Sequence, residues 1–95
     1  METSIPNLAI RRIRANITAC YLQTQERLED VINSDQSLKV KRSRLRTLYV
    51  QMLTTLSITI NVTGLEDLHD MACDLADEID KELTRVTDEL LEEGK

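Results

Sequence analysis

Apolar residues return at intervals of three and four along almost the whole chain, and this spacing limits the possible folds more than any other feature. From Asn7 to Ile32 the positions are Ile10, Ile13, Ile17, Cys20 or Tyr21, Thr24, Leu28 and Val31, which mark one face of a helix. A second set runs from Gln36 to Ser57 through Leu38, Leu45, Leu48 with Tyr49, Met52 with Leu53, and Leu56. The third runs from Gly64 to Glu93 through Leu65, Leu68, Ala72, Leu75, Ile79, Leu83, Val86 and Leu90. Two glycines and one proline leave few residues for turns, so the links must be short and neighbouring helices antiparallel. The pattern predicts an all-α protein: a three-helix antiparallel bundle, up-down-up, with helices at about 7–32, 36–57 and 64–93 and the third the longest. A chain of 95 residues builds one core, so residues 1–95 are read as a single domain.

The helix ends follow from local chemistry. Pro6 suits a first turn, and Ser4 or Asn7 offers a cap. Asn33-Ser34-Asp35 ends the first helix and starts the second near Gln36. Ile58-Thr59-Ile60-Asn61-Val62 alternates and is β-branched, yet has no partner strand, so it reads as an extended linker. Thr63-Gly64-Leu65-Glu66 then has the form of a capping box, which starts the third helix at Gly64.

Helices of about 26, 22 and 30 residues are roughly 39, 33 and 45 Å long. If the second and third pair from the linker, Gln36 lies beside Thr84 and the last turns of the third helix project past both partners. Leu83, Val86, Leu90 and Leu91 then form an apolar stripe for a second copy of the chain or a partner helix. The competing reading is a frayed, solvated end. Ala72 and Ala76 would let a neighbouring helix approach closely.

Charge divides the chain. Residues 1–62 hold nine Lys or Arg against five Asp or Glu, net +4, and residues 63–95 hold three against twelve, net −9. Lys39, Lys41, Arg42, Arg44 and Arg46 crowd the start of the second helix, and Arg11, Arg12 and Arg14 the start of the first. Nucleic acid or an anionic surface is therefore a second candidate partner. Against it stand a pI near 4.8 and basic residues with no interleaved aromatics. An acidic third helix could instead pair these charges within the molecule, while its outer acids stay solvated or meet a basic partner.

Little points to catalysis or a cofactor. His69 and Cys73 share a helix face and Asp70, Asp74 and Asp77 lie close by, but structural zinc takes four Cys or His ligands and only Cys20 could be a third. A surface histidine beside a core cysteine is the plainer reading. One histidine, no glycine-rich phosphate loop and no nucleophilic triad lead us to expect a non-enzymatic protein with no catalytic residues, metal or cofactor. Cys20 and Cys73 make no CxxC, no apolar segment follows Met1, and no apolar run reaches the roughly 20 residues of a membrane span, so an intracellular, soluble protein is expected. Two glycosylation sequons, at Asn16 and Asn61, are then chance matches.

Three stretches together, Leu8 to Thr18, the basic amphipathic Leu38 to Met52 and the acidic Leu65 to Leu83, resemble the helical N-terminal Gag region of BEL/Pao-type retrotransposons. The resemblance implies a Gag-like assembly module that oligomerises, with nucleic acid handled mainly elsewhere. The chain holds no Cys-x2-Cys-x4-His-x4-Cys knuckle, so the resemblance does not extend to RNA binding by that route. The expected function is protein–protein interaction or self-assembly through the apolar stripe, with the basic start of the second helix as the alternative surface. A small acidic regulator of a larger protein is a third class.

Overall fold

In the computed structural model, which describes residues 7–60 and 62–94, three helices follow one another: α1 (Asn7–Asn33), α2 (Leu38–Thr59) and α3 (Glu66–Glu93). They pack up-down-up, and no strand occurs among the described residues. Ser4, Pro6 and Asn61 lie outside the described residues. After Asn33 the Ser34 hydroxyl donates to the Val31 carbonyl at 2.9 Å, closing α1. Ser37, not the Asn33-Asp35 segment, then caps α2: its backbone is extended and its hydroxyl accepts from the Val40 amide.

The second helix runs further than its β-branched tail suggests. Ile58 and Thr59 are helical rather than extended, and only Ile60 turns out of the helix. Hydroxyls of Thr54, Thr55, Ser57 and Thr59 each donate to a carbonyl one turn earlier, so these residues sit in a helix with no unmet polar group. Thr59 is also fully buried, and packing overrides the weak strand propensity.

The capping box at Thr63 does not form. The N-cap of α3 is Leu65, which makes no side-chain cap bond, and the Glu66 carboxylate accepts from the Gly64 amide at 2.9 Å rather than from Thr63. The helix starts two residues later than expected because Gly64 takes φ +97, a conformation in which a side chain would be strained. Space is not the constraint there, since an added Cβ would stand 3.8 Å from Ile10.

This connector changes the pairing of α2 with α3. Thr59 Oγ1 lies 2.9 Å from His69 Nδ1. The two side chains share a hydrogen bond whose direction follows the histidine tautomer, and Thr59 Oγ1 also lies 3.1 Å from the Thr55 carbonyl. Moving back from Thr59 to Leu38, and forward from His69 by the same rise, brings Leu38 level with Leu90 rather than Gln36 level with Thr84. Helix α3 therefore projects past α2 by under a turn at each end, residues 66–68 and 91–93, rather than by several turns at its C-terminal end alone. Leu65 and Leu68 extend past α2 and are covered by Ile13 and Ile17 of α1 in a small separate cluster.

The uncovered stripe expected at the other end is thereby corrected. Val86 is 0% exposed in the main core, and Leu83 and Leu90 are half-buried against it, leaving only Leu91 exposed. That core holds Leu45, Leu48 and Met52 of α2 against Ala72, Leu75, Ala76, Ile79 and Val86 of α3, with only Leu28 and Val31 from α1. The α2–α3 pair is the principal contact and α1 packs more lightly on it.

Two outcomes check this arrangement in urea melts. Val86→Asp should destabilise by several kcal/mol, on the order of 3 or more, because it places an unpaired charge in a closed core, whereas Leu91→Asp should stay within about 0.5 kcal/mol. Thr59→Val keeps the shape but removes the partner of His69, and should cost about 1 kcal/mol.

Candidate interaction surface

Among the described residues, all five basic residues at the start of α2 are without an acidic partner. Among the described residues the ion pairs are Arg14 with Asp67, and Arg85 with Glu82 and Glu89 on its own helix. Lys39, Lys41, Arg42, Arg44 and Arg46 make none, and Arg44 donates to the Gln36 side chain instead. Internal neutralisation by α3 therefore does not occur at α2. The geometry explains why. Helix α3 meets α2 with its apolar face, which leaves Asp70, Asp74 and Asp77 on the exposed surface. Lys39, Arg42 and Arg46, at spacings of three and four, are exposed on α2.

Among the described residues one ion pair joins two helices, and it fixes α1. Arg14 donates to both Asp67 oxygens, at 2.8 and 2.9 Å, and to the Gly64 carbonyl at 3.2 Å. The hydrogen bond from Arg14, and then its charge, hold the Asp67 carboxyl below its ordinary 3.8. The same bond and the Asp67 charge raise the Arg14 guanidinium. Both groups are exposed, so salt screens the pair, and its role is to place the start of α1 on the start of α3.

Further along, α1 and α2 meet only lightly, and a groove stays open above their contact. Thr24 and Thr55, 2% and 5% exposed, occupy positions of their seam where the α2–α3 contact carries leucine or isoleucine. Each hydroxyl donates to a carbonyl of its own helix, at 2.8 and 3.1 Å, so neither seeks a partner across the seam. The result is an open hollow of about 390 Å³ with Ile17, Cys20 and Gln23 on one wall and Val50, Thr54 and Ile58 on the other. It is mainly apolar, and Val50 and Ile58 stand 60% and 52% exposed. Arg27, Gln51 and Val50 join it to further hollows lined by Ser43 and Thr47, then by Lys39, Arg42 and Arg46. One continuous face thus passes from apolar, at the α2 C-terminal half, to basic at its start.

The other candidate residues come together less. His69 is held by Thr59 beside the connector, in a hollow shared with Glu66 and Asp70, and Glu66 is engaged by the Gly64 amide. Among the described residues no three His, Cys, Asp or Glu side chains converge on a point where they could hold a metal ion. Cys20 and Cys73 are both free and half-buried. No described helix is long and apolar enough to cross a membrane.

The pH dependence of stability tests the Arg14 contact. A carboxyl with a lowered folded-state value stabilises above its unfolded value, and that contribution is lost as pH falls below 3.8 and through the folded value. Urea midpoints followed downward from pH 5 should therefore drop less in Asp67→Asn than in the unsubstituted chain, and added salt should shrink the difference.

No family model matches the chain, and neither a curated protein nor a solved structure does.

Proposed function

We propose that this protein is a non-enzymatic interaction module that receives a partner protein on the face formed by α1 and α2. The open seam between these helices carries the reading. A three-helix bundle with nothing to bind gains by closing its apolar side chains together, whereas here Val50 and Ile58 stand in solvent above a floor of satisfied threonines. The surface is thus moved from the end of α3, where Leu83, Val86 and Leu90 belong to the core, to the opposite side of α2. The Gag-like resemblance fits a module of this kind, as does an intracellular setting in which Cys20 and Cys73 stay reduced.

A second reading, binding of nucleic acid or another anionic surface, is favoured by one observation: Lys39, Lys41, Arg42, Arg44 and Arg46 have no carboxylate partner among the described residues. It leaves the apolar half of the face unused. The protein-partner reading accounts for both halves.

Site-specific photocrosslinking in expressing cells separates the two. A crosslinker at Val50 or Ile58 should yield protein adducts that a crosslinker at Asp88, on the acidic side of α3, does not. Adducts to nucleic acid alone, or equal protein adducts from position 88, would overturn the proposal. Light scattering of the purified chain, with Val50→Glu beside Leu91→Glu, shows whether the partner is a second copy. Self-association through this face is lost in the first variant and kept in the second.

A further inference from the structure

We infer that the partner element is an acidic amphipathic helix, laid along the α1–α2 face with its carboxylates over the start of α2 and its apolar stripe over Val50 and Ile58. The inference rests on the interaction-module reading and names the chemistry of its occupant. Three observations carry it.

The first is charge. Helix α2 contains five Lys or Arg and no Asp or Glu, and Arg27 extends the basic character to the wall formed by α1. The carboxylates of α1 in this region, Glu26, Glu29 and Asp30, line none of the hollows that make up the face. The exposed charge facing an occupant is therefore of one sign and confined to one end.

The second is shape. From Lys39 to Ile58 the face follows about 28 Å of α2, the length of a helix of roughly 19 residues. Its floor offers no free donor from Thr24 or Thr55, and most of its exposed area is apolar, so an occupant is held there mainly by apolar contact. Phosphate would meet only the neutral amides of Asn16, Gln23 and Gln51 in that half, with Arg27 at its border. Bases find no ring to stack on, since Tyr21 and Tyr49 pack half-buried against the main core.

The third excludes the most available acidic helix, α3 of a second copy. Its apolar face is buried in its own core, and its exposed large apolar residues are Met71 and Leu91, more than five turns apart among carboxylates. It supplies the charge without the stripe, so the occupant is a helix of another protein.

The test uses the full chain with Cys73→Ala, leaving Cys20 as the sole thiol in the groove. The probes are a synthetic peptide of about 19 residues, with leucines at spacings of three and four and glutamates flanking one half, and a companion with lysines for glutamates. The acidic peptide should slow alkylation of Cys20 and bind at least roughly tenfold more tightly than the lysine peptide, a preference that Arg42→Glu with Arg46→Glu should reverse. If the lysine peptide protects Cys20 equally well, the acidic assignment falls and the groove remains a helix site. If neither peptide protects Cys20, the groove as a helix site falls, and crosslinks from Val50 then decide whether the broader reading survives. A duplex oligonucleotide that outcompetes the acidic peptide, with a steep salt dependence, overturns the inference in favour of phosphate.

Discussion

The packing of α2 against α3 is the contact on which the other features of this molecule depend. Ala72 and Ala76 carry almost no side chain, which lets Leu45, Leu48 and Met52 approach the α3 backbone and fill the space beside Leu75 and Ile79. Each large aliphatic residue fully buried this way contributes roughly 1.5–3 kcal/mol relative to exposure. Most such residues in the main core belong to these two helices, and α1 adds Leu28 and Val31. A helix attached by so few core residues needs other restraints. These are the small cluster of Ile17 with Leu65 and Leu68, and the Arg14 contact to Asp67 and Gly64.

From this imbalance comes the open seam. With α3 occupying one side of α2, α1 could close the next side only if large apolar residues met there. The positions instead hold Thr24 and Thr55, whose hydroxyls are satisfied within their own helices. That arrangement avoids the cost of an unmet buried polar group, and among the described residues no buried side-chain polar atom lacks a partner. It also forgoes the cohesion that leucines would supply. The same division of faces leaves charge in two places: carboxylates on the outer side of α3, and on the outer side of α2 cations with no ion-pair partner among the described residues.

Much of this was legible in the residues. The three-helix bundle and the spans of α1, α2 and α3 follow from apolar spacing within a few residues, because a period near 3.6 over six or more turns has no other outcome. The unpaired register was not legible. Reading Ile58 and Thr59 as extended and Thr63 as a cap brings the two helices together too early, so Val86 and Leu90 appear to overhang. A single hydrogen bond between Thr59 and His69, ten residues apart across a turn built on Gly64, corrects the level of everything downstream. The interaction face had a weaker signal: Val50 and Ile58 fall off the apolar stripe of α2, and Thr24 falls on that of α1. Leu53 falls on the stripe by spacing yet stands 42% exposed, so one residue's position decides little before its neighbour is known.

The central claim is that α2 and α3 form one cooperative unit on which α1 is more lightly held, and native-state amide hydrogen exchange measures this directly. The account predicts that amides around Met52 and Ile79 exchange only through global unfolding, while those between Cys20 and Leu28 open at a distinctly lower free energy. Equal protection of all three helices would contradict it, and would mean that α1 closes on α2 as tightly as α3 does.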